Sequence, residues 1–337
     1  MITVEHLTKR YGDFTAVKDL SFEIDEGHVY GFLGPNGAGK STTMNIMTGC
    51  LSATEGHVKI DGYDIFEESD KAKRLIGYLP EQPPLYMNET PEEYLKFVGE
   101  AKGLRGEELK RQIDEVIEQT KIGDVRKKLI SKLSKGYKQR VGIAQALLGN
   151  PKVIILDEPT VGLDPIQIIE IRDLIRQLGQ THTIILSSHI LSEVQAVCEK
   201  IVIIAKGQLV AFDEPENLEK LLLSSNEISF VTEADMNEVI EIVGAQEEIS
   251  EWKTENLEGS LIKVEAKLNE DDVHEICRKL FFAFARIEKA ILEIQVKKAS
   301  LEEVFIELTE DNIAECNVQE ERLSEEDYLL GLEEEKE

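Results

Sequence analysis

Cysteines and long apolar runs are scarce in this sequence of 337 residues. Its four cysteines, Cys50, Cys198, Cys277 and Cys316, lie far apart and form no Cys-x-x-Cys pair. Neither a disulfide framework nor a zinc site is therefore indicated. The apolar runs are short, such as the one at 153–156, whereas a helix needs roughly 18 to 20 apolar residues to cross a bilayer. No membrane-spanning helix is expected.

Basic residues are few relative to acidic ones. The chain has 38 Lys and Arg residues against 66 Asp and Glu residues, which gives a formal net charge of -28 at pH 7. Because an acidic surface repels polyanions, we expect no nucleic-acid partner and no direct adhesion to anionic lipid. The amino terminus, residues 1–5, lacks the basic start and apolar middle of a secretory signal. We therefore predict a cytoplasmic protein.

The length predicts two folded units and a tail, because single domains usually have roughly 100 to 200 residues. From residue 1 to about 212, short apolar runs precede amphipathic stretches, a rhythm that predicts an α/β fold with a parallel sheet. Two further amphipathic stretches, at 92–101 and 107–120, predict a separate helical subdomain. We expect a first domain at 1–215, a small α+β accessory domain at 216–308 and a disordered acidic tail at 309–337.

The accessory domain has its own pattern of strands and helices. Its order resembles that of a small ferredoxin-like sandwich. The predicted elements are a strand at 227–231, a helix at 236–243, a hairpin over 247–267 that turns at 256–260, a helix at 270–281, a strand at 286–297 and a helix at 301–308.

A Gly-rich loop at 34–42 is the strongest motif in the sequence. It fits G-x-x-x-x-G-K-[ST] and consists of Gly34, Pro35, Asn36, Gly37, Ala38, Gly39, Lys40, Ser41 and Thr42. It follows an apolar stretch and precedes a helix-compatible run, the context in which such a loop cradles phosphate with its backbone N–H groups. Lys40 can reach the β and γ phosphates, and the hydroxyl of Ser41 can ligate Mg²⁺. A Gly-rich turn without a ligand is the alternative, and this context disfavours it.

Polar residues end two of the apolar strands. Asp157 and Glu158 follow the strand at 153–156, and Ser187 to His189 follow the strand at 183–186. Since the carboxyl ends of parallel strands line the ligand crevice, these side chains should converge there. Asp157 can hold Mg²⁺ through water, and Glu158 can polarise an attacking water molecule. A carboxylate pair that only caps a strand is the alternative.

The segment 134–140 precedes an amphipathic helix. Ser134 is predicted to be its N-cap, and a helix amino terminus with a hydroxyl and the N–H of Gly136 is also an anion site. Taken alone, the segment favours the capping interpretation.

Together and in this order, the motifs resemble the nucleotide-binding subunit of ABC transporters, a P-loop NTPase, over residues 2 to about 212. The loop at 34–42 matches Walker A, residues 153–158 match Walker B, and 162–164 match the D-loop. The resemblance implies that Tyr11 stacks on adenine and that His189 is the switch histidine. It also implies that Gln82, in a segment similar to the Q-loop, contacts Mg²⁺ and couples to a transmembrane partner.

Residues 133–140 resemble the family signature LSGGQ-x-Q-R with two changes. Lys135 replaces a Gly, and Tyr137 replaces the Gln. Ser134 and Gly136 keep the donors that the family directs at the γ phosphate of ATP. The changes put the remaining ligand contacts of the signature in doubt.

The resemblance implies an ATPase that works as a pair. Two subunits would sandwich two ATP molecules with Mg²⁺, Lys40, Glu158 and His189 would act in catalysis, and a homodimer is expected. Separate transmembrane permease subunits would hold the chain on the cytoplasmic face of the membrane. The segment at 301–305 resembles bacterial exporter ATPases of the multidrug and gliding-motility type. The alternatives are a soluble ABC ATPase and a slow-hydrolysing, ATP-gated dimerisation switch.

Overall fold

The structure is a computed structural model that describes residues 1–221, 226–257, 259, 261–269 and 273–297. The chain divides into a first unit that contains Met1–Pro215 and a second unit over Glu216–Glu307. Two features expected from the sequence, the helix at 301–308 and the acidic tail at 309–337, lie outside the described residues.

The first unit mixes strands and helices along the chain. Its strands are β1 (Ile2–Tyr11), β2 (Phe14–Ile24), β3 (Val29–Leu33), β4 (Glu55–Ile60), β5 (Tyr63–Asp64), β6 (Ile76–Leu79), β7 (Val153–Leu156), β8 (Thr183–Ser188), β9 (Lys200–Ala205) and β10 (Gln208–Asp213). Its helices are α1 (Lys40–Met47), α2 (Ser69–Arg74), α3 (Pro91–Ala101), α4 (Gly106–Gln119), α5 (Lys135–Leu147), α6 (Pro165–Gly179) and α7 (Leu191–Val197). The helix α8 (Pro215–Leu221) follows β10.

A mostly parallel sheet forms the centre of the first unit. Its strand order is β10-β9-β3-β8-β7-β6, and every neighbouring pair except β10 and β9 is parallel. All residues of β3, β7 and β8 are buried, as expected of parallel strands that are covered on both faces. The sheet confirms the predicted α/β fold and brings the carboxyl ends of β3, β7 and β8 to one edge.

A second, antiparallel sheet has the strand order β2-β1-β4-β5. Its first two strands form a hairpin in which Tyr11 pairs with Phe14 next to the turn. Because β1, β2 and β3 follow one another without a helix, the predicted alternation of strands and helices begins only at β3. The hairpin matters for the site because it places two aromatic side chains at its tip.

The helical subdomain contains α3 and α4, close to the predicted bounds of both helices. Thr90 caps α3 in a reciprocal capping box with Glu93, and Pro91 occupies the first turn, an arrangement that satisfies the free N–H groups of a helix start. A Cβ at Gly99 would lie 2.3 Å from Cδ1 of Leu109. The absence of a side chain at Gly99 therefore allows α3 and α4 to approach closely.

Arg140 joins the helical subdomain to the rest of the first unit. Its side chain is buried, its Nη1 donates to the carbonyl oxygen of Thr120 at 3.1 Å, and its Nη2 donates to Oε2 of Glu170 at 2.7 Å. Thr120 caps the carboxyl end of α4, while Glu170 lies on α6. One guanidinium on α5 therefore connects three helices.

Replacing Arg140 with Met is expected to lower the free energy of unfolding by about 1 to 3 kcal/mol. Methionine keeps much of the side-chain length but leaves the carbonyl oxygen of Thr120 without its donor. Urea unfolding followed by circular dichroism measures the change, and Lys138→Met on the same helix removes an equal charge as a control. Equal stability of the two variants would contradict the connecting role of Arg140.

The second unit is a small α+β sandwich. Its elements are β11 (Asn226–Thr232), α9 (Met236–Gly244), β12 (Ile249–Leu257), β13 (Leu261–Leu268), α10 (Val273–Arg286) and β14 (Ile291–Lys297). Its sheet has the strand order β12-β13-β11-β14, and all neighbours are antiparallel. This β-α-β-β-α-β order is that of a ferredoxin-like sandwich, as the sequence predicts.

The core of the second unit explains the one large difference from the predicted bounds. Phe230 of β11 and Phe284 of α10 are buried with ring centroids 5.6 Å apart. Ile276, Leu280 and Phe284 keep the apolar spacing of a helix, so α10 continues to Arg286 and β14 begins only at Ile291. A helix that ends at residue 281, as expected from the sequence, would leave Phe284 out of this apolar face.

Among the residues that the structure describes, no helix is both long and apolar enough to pass through a bilayer.

Candidate functional site

A cleft with a volume of about 480 Å³ lies where β3, β6, β7 and β8 end. Parallel strands place their carboxyl ends at one edge, which is where ligands bind in folds of this type. The lining residues are Tyr11, Phe14, Ala16, Asn36, Gly37, Ala38, Gly39, Lys40, Ser41, Thr42, Glu81, Glu158, Val161 and His189.

The Gly-rich loop joins β3 to α1 and forms one wall of the cleft. A Cβ at Gly34 would lie 2.3 Å from the carbonyl oxygen of Ile204, and one at Gly39 would lie 2.6 Å from that of Ala16. Gly39 also has a φ of 100°, which side chains rarely adopt. Both positions therefore require glycine. The result is a bare backbone at the start of α1, where the positive end of the helix favours an anion.

Lys40 is the buried cation of the cleft, with only 6% of its surface exposed. Its Nζ donates to the carbonyl oxygens of Gly34, at 2.7 Å, and Pro35, at 3.2 Å. It also lies 3.9 Å from Oε1 of Glu158. Burial lowers the pKa of Lys40, and the carboxylates of Glu158 and Asp157 partly oppose that shift. These contacts hold a cation beside the Gly-rich loop.

Asp157 lies behind the loop and connects it to two strands. Its Oδ1 accepts hydrogen bonds from the hydroxyl of Ser41 at 3.2 Å and from that of Ser187 at 2.6 Å. The hydroxyl of Ser187 in turn accepts the backbone N–H of Glu158 at 2.8 Å. Ser187 thus fixes the ends of β7 and β8 relative to each other. The sequence placed it among the converging residues but gave no sign of this bridging contact.

A hydroxyl and a carboxylate suit Mg²⁺, which prefers oxygen ligands. The described residues contain no group of three or more His, Cys, Asp and Glu side chains that could hold a metal ion. Mg²⁺ is usually bound through one or two carboxylates together with substrate phosphates and water. Ser41 and Asp157 fit that mode of binding.

Glu158 is a buried carboxylate that lines the cleft. Nδ1 of His189 lies 3.2 Å from its Oε1 and 3.1 Å from its Oε2. Its backbone has a φ of 48°, a conformation that is uncommon outside glycine and that concentrates at functional sites. Burial of the carboxylate beside a histidine and a lysine is an arrangement that can orient and activate a water molecule.

Tyr11 and Phe14 form the aromatic end of the cleft at the tip of the β1–β2 hairpin. Tyr11 is 50% exposed, and Nζ of Lys9 lies 5.2 Å from the centroid of its ring. An exposed ring beside a phosphate site can stack on a flat base. The sequence suggested Tyr11 for this position and missed Phe14, which only the pairing of the two strands brings to the same place.

Gln82 does not line the cleft. Its side chain is exposed, and Glu81 lines the cleft instead. Both residues lie in a bend that follows the end of β6. Gln82 is thus not among the residues that line the cleft, and its contact with Mg²⁺ stays a prediction. Glu81 is a cleft residue that sequence reasoning missed.

Ser134 and Gly136 also lie outside the cleft of their own chain. Ser134 caps α5 and accepts the backbone N–H of Tyr137 at 3.4 Å. The hydroxyl of Tyr137 donates to Asp124 at 2.7 Å, so this side chain is held against the helical subdomain. A Cβ at Gly162 would lie 2.2 Å from Nζ of Lys135, which places Lys135 over the turn that follows β7.

Comparison with known proteins gives a consistent result. A family model described as ABC transporter matches residues 17–161. The chain is 33% identical over 324 residues to the linearmycin resistance ATP-binding protein LnrL of Bacillus subtilis (strain 168), which covers 92% of this chain and 98% of that protein. It is 35% identical over 310 residues to the bacitracin transport ATP-binding protein BcrA of Bacillus licheniformis, covering 91% and 97% of the two chains.

Solved structures of ATP-binding cassettes are similar to part of the chain. One is described as the ATP-binding subunit of an ABC transporter, with a TM-score of 0.60 and 30% identity over 66% of this chain and 92% of that chain. Another is a dimeric cassette in a post-hydrolysis state, bound to ADP and Pi, with a TM-score of 0.58 and 28% identity over 64% and 98% of the two chains. These likenesses agree with the P-loop architecture of the first unit.

Proposed function

The chain belongs to the family of ABC transporter ATP-binding proteins and is an ATPase, and from that premise we propose that it drives an exporter through ATP-dependent dimerisation. The observation that carries this proposal is the meeting of Lys40, Ser41, Asp157, Glu158 and His189 at one edge of the central sheet. Its membrane-spanning partners would be separate permease subunits. No nucleic-acid partner is proposed.

Each side chain of the cleft has a separate role in the proposed reaction. The loop at 34–42 binds the phosphates, and Lys40 exchanges its carbonyl contacts for β- and γ-phosphate oxygens. Glu158 accepts a proton from the attacking water, while His189 orients the carboxylate and contacts the γ phosphate. Tyr11 stacks on adenine.

Mg²⁺ would be held by Ser41 and Asp157 in this proposal. The ion supplies positive charge that offsets the charge on the β and γ phosphates. Ser187 keeps Asp157 in place through its 2.6 Å hydrogen bond. Gln82 follows Glu81, which lines the cleft, and its contact with Mg²⁺ remains part of this proposal.

Two copies of the chain are proposed to form the working unit. Ser134 and Gly136 do not line their own cleft, as required if they complete the cleft of a second copy. The similarity to a dimeric cassette bound to ADP and Pi supports the same arrangement. We propose a homodimer in which each site takes the cleft of one copy and Ser134 and Gly136 of the other.

An exposed aromatic surface on the helical subdomain is proposed to dock the permease subunits. Tyr86 and Phe97 are both about half exposed, and their ring centroids are 5.1 Å apart. Met87 is exposed beside them, and all three follow the segment of Glu81 that reaches the cleft. Contact at this surface would place the chain on the cytoplasmic face of the membrane and transmit closure of the dimer.

The second unit and the names of the relatives support export. The proteins named for linearmycin resistance and bacitracin transport match over 92% and 91% of this chain, so the likeness extends beyond the cassette. We propose that residues 1–215 form the ATP-binding domain and residues 216–308 an accessory domain of an exporter ATPase. The proposed substrate class is accordingly an antimicrobial compound.

Affinity purification from solubilised membranes tests this proposal. The tagged chain is expected to bring down a protein with several membrane-spanning helices. Phe97→Glu should bring down much less of that partner, because removing an aromatic side chain that is buried in an interface costs about 2 kcal/mol or more of binding. The ATP hydrolysis of this variant should remain. Ile240→Glu, at an exposed apolar position of α9, is the control. Recovery of no membrane protein with the parental chain would contradict the exporter assignment.

A further inference from the structure

Glu193 is a buried carboxylate on α7 that the mechanism above does not use. Its side chain is 7% exposed. Its Oε2 accepts hydrogen bonds from the hydroxyls of Thr160, at 2.5 Å, and Ser188, at 3.1 Å. Nη2 of Arg172 lies 3.9 Å from its Oε1. Burial of a charge is costly unless it is paired and hydrogen-bonded, and these contacts meet that requirement.

The two hydroxyls lie close in sequence to the proposed catalytic side chains. Thr160 follows Glu158 by two positions, and Ser188 immediately precedes His189. The hydroxyl of Ser188 also accepts the backbone N–H of Ile190 at 3.0 Å, so it fixes the chain on both sides of His189. One carboxylate oxygen therefore joins the segment after β7 to the last residue of β8.

We infer that Glu193 is a positioning residue for ATP hydrolysis, which holds His189 and Glu158 within reach of each other. The inference rests on the roles proposed for those two side chains. The separation that it controls is that between Nδ1 of His189 and the two carboxylate oxygens of Glu158, 3.2 and 3.1 Å. Misplacing a catalytic group by about 1 Å can cost about 10²-fold in rate, so a loose connection between these segments would be seen in turnover.

The hydroxyl contacts carry this role more than the charge does. The 3.9 Å separation from Arg172 is longer than a hydrogen bond. A glutamine at position 193 keeps an oxygen that can accept from Thr160 and Ser188. A methionine of similar size removes the acceptor without opening a large cavity.

The test compares Glu193→Met with Glu193→Gln in the full chain. Glu193→Met is expected to lower kcat by about 10-fold or more and to leave KM for ATP within about twofold, because the phosphate loop and Tyr11 are unchanged. Glu193→Gln should stay within about threefold of the parental kcat. Ser192→Ala, an exposed change on the same helix, is the matched control.

A second set of variants approaches the same contact from its donors. Thr160→Val combined with Ser188→Ala should reproduce the loss in kcat, and adding Glu193→Met should lower it no further, since groups that act as one unit are not additive. If Glu193→Met fails to fold, kcat of the Thr160→Val, Ser188→Ala variant tests the positioning role by itself.

Parental turnover of Glu193→Met would overturn the inference. Equal decreases in kcat for Glu193→Met and Glu193→Gln would also overturn it. The same holds if kcat of the triple variant falls by the product of the decreases caused by the donor pair and by Glu193→Met. Glu158→Gln is measured beside these variants. If it hydrolyses ATP at the parental rate, the proposed function fails. If it is inactive while Glu193→Met is normal, only the positioning role of Glu193 fails.

Discussion

Replacing Glu158 with Gln is expected to lower ATP hydrolysis by about 10²- to 10⁴-fold, the usual contribution of a general base. The amide keeps the size and hydrogen-bonding capacity of the side chain but cannot accept a proton from water. The loop at 34–42, Tyr11 and Asp157 are untouched. ATP binding should therefore survive while hydrolysis fails.

Phosphate release and nucleotide binding, measured on the same preparation, separate the two effects. Glu23→Gln, at an exposed position of β2, is the control for an amide replacing a carboxylate. Hydrolysis at the parental rate would mean that Glu158 is not the base, and another residue of the cleft would have to take that role.

Replacing Lys40 with Ala is expected to weaken ATP binding by about 10- to 100-fold, since a hydrogen bond to a charged group contributes about 1.5 to 3 kcal/mol. Among the described residues that line the cleft, Lys40 is the only lysine. Its loss also leaves the carbonyl oxygens of Gly34 and Pro35 without their donor. ATP hydrolysis should be lost because ATP binding is weakened. The two variants thus divide binding from chemistry.

Titration with a fluorescent ATP analogue measures this loss directly. Lys18→Ala removes an exposed lysine of β2 that does not line the cleft, and it should bind as the parental chain does. If Lys40→Ala bound the analogue with parental affinity, the phosphates would not lie against the loop as proposed.

Local sequence spacing predicted the phosphate loop and the ends of β7 and β8. The loop is a continuous segment between a strand and a helix, so its chemistry can be read without knowing the rest of the fold. Asp157, Glu158 and His189 could be placed together because parallel strands align their carboxyl ends. The ferredoxin-like order of the second unit followed from periodicity in the same way.

Contacts between distant segments could not be read from the sequence. Phe14 reaches the cleft only because β1 and β2 pair at that register. Glu81 and Gln82 are neighbours in a bend after β6, and no periodicity in the sequence distinguishes which of them lines the cleft. Glu193 looks like an ordinary helix residue until Thr160 and Ser188 are brought against it.

The mass of Glu158→Gln in the presence of ATP and Mg²⁺ tests the central claim most directly. If ATP joins two chains and hydrolysis releases them, this variant should accumulate as a dimer with twice the mass of the single chain in light scattering. Lys40→Ala should remain a monomer under the same conditions. A Glu158→Gln protein that binds ATP and still scatters as a monomer would contradict ATP-dependent dimerisation.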